Sequence, residues 1–474
     1  MVKKSKKSKL EEKLTLKHEL IWDKLGKKEK ESVFEFSKGY KKFLARAKTE
    51  REAVTEIIRF AQKNGFRDIA KVKRPGPGTK LYITNRNKNV AMVVLGSEPI
   101  ENGVNIIASH IDSPRLDLKQ NPLYEDEDTK LALFKTHYYG GIKKYQWVNQ
   151  PLAVHGYVVK GNGESVDIVM GEKPDEPAFT VTDLEPHLYR QKQAKRKLPE
   201  GIKGEELNVL VGSVPIKDDD AKAKVKLWVL NHLNKEYGLV EEDFTTAELE
   251  IVPAGSPRDI GFDASMIGAY GQDDRICAYG AMAAIAEVSK PKRTAIALFF
   301  DKEEIGSEGN TGVKSRFLES MIGQLIELSN PEYRYSDLGK TLYGSKALSS
   351  DVTGGVNPNF KDVHELKNAP RIGYGIVITK FTGAGGKYSS NDANAEFVGE
   401  LRRLFNKKKV AWQTGELGKV DEGGGGTIAK FLAEHNMEVV DCGPAVLSLH
   451  APFEISSKAD LYSTYQAYKA FYGN

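Results

Sequence analysis

Cysteine is almost absent. Cys277 and Cys442 are the only two in 474 residues, too few for a disulfide framework, and each lies in an apolar stretch that suits a reduced, buried thiol. That excludes the small disulfide-stapled secreted classes and points to a reducing, cytoplasmic setting. Long hydrophobic runs are lacking too. The longest uncharged apolar stretch, CAYGAMAAIA at 277–286, falls far short of the roughly 20 residues of a membrane helix, and no hydrophobic signal-type segment follows the N-terminal lysines. No membrane partner is expected. Net charge is also scarce: of the formal +5, the opening MVKKSKKSKLEEK supplies +4 through six lysines and two glutamates. The remainder is near neutral, so this basic segment reads as a solvated, mobile end and no nucleic-acid partner is expected. Internal repeats are missing as well.

What is present is the composition of a soluble globular protein, 40% hydrophobic and 28% charged, in a chain too long for one ordinary core. Two domains are expected, one inserted in the other. In TEREAVTEIIRFAQKNGF, Thr49 and Glu52 form a capping-box pattern, Val54, Ile57, Ile58 and Ala61 share one helical face, and Gly65 supplies a stop. Segments LYITN, AMVVLG and VNIIAS read as strands. Beyond Pro114, alternating segments such as AVHGYVV and VDIVMG between charged loops read as a β-rich insert over 113–249. From AELEIVP onward strands and helices alternate again: CAYGAMAAIAEV, NAEFVGELRRLF and TIAKFLAEHN as helices, TAIALFF, RIGYGIVITK and MEVVDCGPAV as strands. The fold class is therefore α/β, a mostly parallel sheet covered by helices over 1–112 and 250–474, with the insert between.

The unusual polar residues follow strands. His110 and Asp112 come after VNIIAS, Asp301, Glu303 and Glu304 after TAIALFF, Asp351 after TLYGSKALSS, and His450 after VVDCGPAVLS; Asp273 and Asp274 precede an apolar helix. Groups at the carboxyl ends of strands in an open α/β sheet converge on one crevice. Two histidines among several carboxylates suit zinc, cobalt or manganese better than an all-oxygen ion. A divalent cation would also offset the repulsion between the adjacent Glu303 and Glu304, one binding metal while its neighbour serves as a base. Asp274 reads equally well as helix N-cap chemistry. His18, His187, His232, His364 and His435 lie in polar surroundings and are not expected to bind metal; His137 and His155 belong to the insert and could reach a site only across a subunit interface or by a fold-back. The glycine loop VDEGGGGTIAKFL lacks the lysine and hydroxyl of a nucleotide-binding P-loop. It reads as a place for close backbone approach, with FTGAGGKYSSNDAN as part of the same wall.

Taken in order, SHIDSPRL, YGGIKKYQW, GQDDRICAY, DKEEIGSEG, SSDV and LSLHAPFE make the chain resemble the M18 metalloaminopeptidases, the aspartyl aminopeptidase and aminopeptidase I group, in its bacterial branch. The resemblance implies two divalent ions, zinc foremost with cobalt or manganese as alternatives. His110 and Asp351 would hold one, Glu304 and His450 the other, and Asp273 would bridge them. Glu303 would be the general base that deprotonates the activated water, and Asp112 would orient His110, a role its two-residue spacing also supports. It further implies a β-rich dimerisation domain, a homo-oligomer built from dimers and in some members a tetrahedral dodecamer, and peptide substrates with a free N-terminus. Where aspartyl-preferring relatives present a histidine across the dimer interface, this chain aligns Tyr145, which can donate a hydrogen bond but carries no imidazolium charge. Lys380 and Lys387 are the candidates for a cationic side-chain pocket; neutral or apolar N-terminal residues are favoured over acidic ones. The alternatives are a related dinuclear deacylase or dipeptidase, and a non-catalytic assembly or cargo protein of the same fold.

Overall fold

The computed structural model describes residues 9–330 and 332–473; most of the N-terminal basic segment, residues 1–8, lies outside them. Thr49 caps the helix Glu50–Lys63 as its spacing predicts: its hydroxyl accepts the Glu52 N–H at 3.2 Å, and Glu52 Oε2 accepts the Thr49 N–H at 3.1 Å. Gly65 ends the segment at φ +83°, a conformation costly for a residue with a Cβ. The buried face of this helix, Ala53, Val54, Ile57 and Ala61, packs into the core on one side of a nine-stranded sheet.

That sheet runs Arg67–Asp68, Lys80–Asn85, Asn89–Val94, Ala295–Phe300, Asn105–His110, Lys346–Ser349, Glu438–Gly443, Ile376–Thr379, Trp412–Thr414. Five neighbouring pairs are parallel and three antiparallel, the largely parallel α/β sheet that the alternation predicts. Its central strands are apolar on both faces. Ile107, Phe299 and Leu348 enter one core with helices Gln272–Ala286 and Lys458–Tyr472. Ile106, Ala108, Leu298 and Ala347 enter the other with helix Phe317–Ser329. Side chains alternate across a strand, so continuous apolar runs require cover on both sides.

A seven-stranded sheet forms from residues 115–253 around a core of its own that includes Leu116, Phe134, Val154 and Ile251. Here the chain returns to the α/β layer later than the sequence reading has it. Glu248–Pro253, in the segment AELEIVP, pairs residue for residue with Leu152–Val159 in this second sheet, because an apolar strand pattern does not say which sheet the strand joins. Two other segments are shorter than their patterns. RIGYGIVITK yields only Ile376–Thr379, since Gly373 and Gly375 give their N–H groups to the buried Asp460 at 2.5 and 2.7 Å instead of to a neighbouring strand. TIAKFLAEHN yields only Ala429–Ala433. A small third sheet joins Arg258–Ile260, Met266–Ala269, Glu454–Ser457, Ala445–Leu447 and Thr353–Gly354.

Candidate metal centre

Strand register does most of the assembly. In the parallel pairs Phe300 lies opposite His110 and Ser349 opposite Ala108, so Glu303, Glu304 and Asp351 emerge beside His110 at the carboxyl ends of adjacent strands. After Phe300 the chain turns sharply through left-handed Lys302 and Gly306, at φ +67° and +92°, and the Ser307 N–H closes onto the Lys302 carbonyl at 2.7 Å. Asp273 and His450 arrive by another route. The last central strand ends at Gly443, and the chain then crosses into the third sheet; there Ala269 pairs with Glu454, which brings the loops holding Asp273 and His450 together. His450 is thus delivered by the small sheet, and not by the end of a central strand as its sequence position implies.

All five residues meet. His110 Nε2 lies 3.1 Å from Asp273 Oδ1 and 3.9 Å from Asp351 Oδ1, and His450 Nε2 lies 3.3 Å from Asp273 Oδ2 and 3.4 Å from Glu304 Oε2. Candidate ligand atoms of His110, Asp273 and Glu304 fall within 4.8 Å of one another, as do those of His110, Asp274 and Asp351. Asp273 thus sits between the two imidazoles. Asp274 corrects the helix-cap reading: Gly271 occupies the cap with no side-chain capping bond, and both Asp274 carboxylate oxygens are buried without a hydrogen-bond partner. Glu304 Oε1 is likewise buried and unpartnered. Orphaned buried carboxylate oxygens are costly unless a positive charge faces them, so this nitrogen and oxygen donor set fits divalent cations of the zinc, cobalt or manganese type.

Two further carboxylates hold the loops in place. The Asp112 carboxylate is fully buried and accepts the N–H of Glu303 at 3.1 Å, the N–H of Glu304 at 3.2 Å and the Tyr139 hydroxyl at 2.9 Å; it lies 3.2 Å from His110 Nδ1, which bonds to the Asp112 backbone carbonyl at 3.1 Å. It therefore fixes the 303–304 turn as well as His110. Glu454, which the sequence reading did not single out, accepts the N–H of Gln272 at 2.6 Å and of Asp273 at 3.2 Å on one oxygen and of His450 at 2.9 Å on the other. Its signal was the glutamate closing LSLHAPFE, four residues after His450. Asp301 stands apart, its buried carboxylate bonded to the Thr311 hydroxyl at 2.6 Å.

The charges respond as a crowded acidic site requires. Burial, reinforced by the charges of Asp274 and Asp273, raises Asp351 well above the usual carboxylate range. Burial and the charge of Asp273 do the same to Glu304. Glu303 is pushed up to about 7 by burial, with His110 opposing the shift and Asp112 adding to it. Burial alone would lower His450, yet its hydrogen bond to Asp273 and the charge of Glu304 push it up to about 11. Burial alone would raise Asp273, yet hydrogen bonds from both histidines hold it below its ordinary value. The cluster draws in positive charge, and metal binding there would release these protons.

The residues open into a cavity of about 1000 Å³ whose lining includes His110, Asp273, Glu303, Glu304, Asp351 and His450. Both glycine loops form part of its wall, joined as a short ribbon in which Gly383 pairs with Gly425 and Ala384 with Gly424. A Cβ on Gly424 would lie 2.0 Å from the Gly383 carbonyl oxygen, so the ribbon depends on that residue being glycine. Lys387 lines the cavity and Lys380 does not; both are bonded at 2.9 Å to Asp392. Tyr145 is 41% exposed and lies outside the cavity wall, which takes Lys143 and Gln146 beside it. Of the other histidines, none lines the cavity, and His155 is buried between Glu52 at 2.7 Å and Glu172 at 2.9 Å.

A family model described as aminopeptidase I zinc metalloprotease (M18) matches residues 43–472. The chain belongs to the M18 family. Its relatives are metallo-aminopeptidases: the probable M18 family aminopeptidase 1 of Clostridium acetobutylicum is 50% identical over 96% of this chain and 97% of its own length, and that of Thermotoga neapolitana 50% identical over 95% and 97%. The M18 aminopeptidase structure from Thermotoga maritima superposes with a TM-score of 0.92 at 47% identity, covering 96% of this chain and 99% of that one. Aminopeptidase I from Clostridium acetobutylicum gives 0.91 at 48%, covering 97% and 100%. Among the described residues no helix is long and apolar enough to cross a membrane.

Proposed function

We propose that this M18 protein removes single residues from the N-termini of peptides at a two-cation centre, with Glu303 as general base. One observation carries the reading: His110, Asp273, Glu304, Asp351 and His450, from five separate segments of the chain, present their ligand atoms to one another at 3.1 to 3.9 Å beside a glutamate that lines the same cavity. His110 and Asp351 would hold one ion and Glu304 and His450 the other, with Asp273 able to serve both; zinc fits the family, and cobalt or manganese share the ligand chemistry. Bound divalent ions there supply Lewis acidity, which makes water more acidic and the scissile carbonyl more electrophilic. Glu303, its carboxyl pushed up toward neutrality by burial, takes the proton of the attacking water and returns it to the leaving amine. Asp112 holds Glu303 and Glu304 by their backbone N–H groups, so base and ligand keep a fixed relation. The free N-terminal amine is bound by the acidic floor of the cavity, which limits cleavage to one residue at a time.

Asp392 occupies both Lys380 and Lys387, which supports neutral or apolar N-terminal residues over acidic ones. The reading extends to a cytoplasmic homo-oligomer in which the inserted sheet makes dimers and Tyr145 acts near a neighbouring subunit's site, with a tetrahedral dodecamer as the largest assembly. Leu184, Leu188, Tyr189 and Leu198, all exposed in this single chain, give that region apolar surface to cover.

The test is Glu303→Gln in the zinc-loaded protein, assayed on aminoacyl chromogenic substrates of Leu, Ala, Asp and Glu. Metal content and assembly should persist while kcat falls roughly a hundred- to ten-thousand-fold. Undiminished turnover in the variant removes Glu303 as base. Hydrolysis by wild type of N-acylated substrates alone would make it a deacylase, and no hydrolysis with any cation an assembly protein.

A further inference from the structure

The reading above leaves one segment of the inserted sheet without a role although it touches the site twice. Strand Ala132–Tyr139 ends beside the metal centre. There the Tyr139 hydroxyl donates to Asp112 Oδ2 at 2.9 Å, and two residues on the Gly141 carbonyl accepts from His450 Nδ1 at 2.8 Å. The other carboxylate oxygen of Asp112 lies 3.2 Å from His110 Nδ1, whose hydrogen bond at 3.1 Å goes to the Asp112 backbone carbonyl. The far nitrogens of both imidazoles are therefore governed from residues 139–141, one directly and one through Asp112, whose side chain Tyr139 holds and whose carbonyl takes the imidazole. We infer that this segment is a positioning element that fixes both histidines in the tautomer whose Nε2 faces the cations, making the inserted sheet a structural part of the catalytic centre.

A histidine binds metal through one nitrogen only if the other carries the proton, and the hydrogen bond made by that second nitrogen selects the tautomer and the ring orientation. A backbone carbonyl accepts only, so Gly141 leaves His450 one choice. Asp112 can also accept only, and it keeps its orientation because each of its oxygens has a separate backbone donor and Tyr139 adds a third fixed contact. Tyr139 is itself held: its ring lies 4.0 Å from the Arg115 guanidinium, and Arg115 is anchored to Glu50 and Asp117 at 3.2 and 2.8 Å. Gly140 lets the segment pass close to the site. It sits at φ +73°, and a Cβ there would come within 3.3 Å of the Glu304 Cβ and 3.4 Å of Pro114.

The inference rests on His110 and His450 being cation ligands, and the experiment separates the two ideas. Tyr139→Phe keeps the ring over Arg115 and removes only the hydroxyl, with no contact to a ligand; Gly140→Ala strains the segment at its positive φ and also crowds the Glu304 Cβ at 3.3 Å. Zinc affinity of each oligomeric variant is measured by competition with a chelating indicator, alongside kcat and KM. Tyr139→Phe should bind zinc about tenfold more weakly and lose kcat with KM nearly unchanged, Gly140→Ala should lose more of both, and Tyr138→Phe, the exposed neighbour, should match wild type. Wild-type zinc affinity in both Tyr139→Phe and Gly140→Ala overturns the inference. Because zinc affinity is read without turnover, a wild type that binds zinc yet fails to cleave peptides would sink the peptidase reading and leave this test standing.

Discussion

Asp112→Asn is the substitution whose outcome the coordinates constrain most tightly. The amide keeps the shape of the side chain but turns one acceptor oxygen into a donor. If the nitrogen takes the place of Oδ1, it faces the N–H of Glu303 and His110 Nδ1, at 3.1 and 3.2 Å. If it replaces Oδ2, it faces the N–H of Glu304 at 3.2 Å and the Tyr139 hydroxyl at 2.9 Å, and a hydroxyl can rotate to accept. The second orientation costs less, leaving only the Glu304 N–H without an acceptor. An unsatisfied buried donor costs about 1–3 kcal/mol, and the two surviving bonds, with Glu303 and Tyr139, lose the strength that a charged acceptor gave them. We expect a combined loss of about 3 kcal/mol, or about 100-fold at 1.4 kcal/mol per decade. It should appear as weaker zinc binding, because the loop that presents Glu304 loses its anchor and the His110 ring loses the negative charge 3.2 Å from its Nδ1. Competition with a fluorescent zinc indicator on metal-stripped protein measures it, with urea unfolding of the same samples as a check on the fold. An Asp112→Asn protein that binds zinc within about twofold of wild type, at wild-type kcat, would refute the idea that one carboxylate organises both loops.

Two further outcomes follow from packing and charge away from the metals. Glu50 is buried between Lys88 at 3.0 Å and Arg115 at 3.2 Å; burial alone would raise its carboxyl, yet Arg115 and Lys88 hold it below the ordinary range. The unfolded chain therefore takes up this proton first on acidification, so the contribution of Glu50 is complete above pH about 5 and is lost as pH falls. Glu50→Gln should cost about 3 kcal/mol near neutrality and flatten the acid limb of stability, as seen in urea midpoints measured from pH 7 to pH 4. Phe299, fully buried in the inner strand Ala295–Phe300, should cost about 3–5 kcal/mol as Phe299→Ala, read from the same denaturation curves. A loss below about 1 kcal/mol would mean that the two-sided core closes around the cavity.

The boundary between what could be read early and what could not runs through the site itself. His110, Glu303, Glu304 and Asp351 were legible because each follows an apolar strand, and parallel neighbours in one sheet end on the same edge. Asp112 was legible for its two-residue spacing from His110, but its hold on the 303–304 turn was not, since that contact joins residues about 190 positions apart. Glu454 went unnoticed and Asp274 stayed open between cap and site residue for a related reason: a buried carboxylate is recognised by its missing or unusual partners, and partners are a property of the folded chain.

Local patterning by itself set the helix that starts at Thr49, the two-sided apolar strands, the reduced cysteines and the roster of metal-seeking side chains, because each depends on neighbours within a turn or a strand. The folded chain alone decided that Glu248–Pro253 joins the second sheet, that His450 reaches the site through a third, and that residues 139–141 brace both imidazoles. Those choices depend on which strands find each other across hundreds of residues, where hydrogen-bond register and shared burial, rather than local preference, select the pairing.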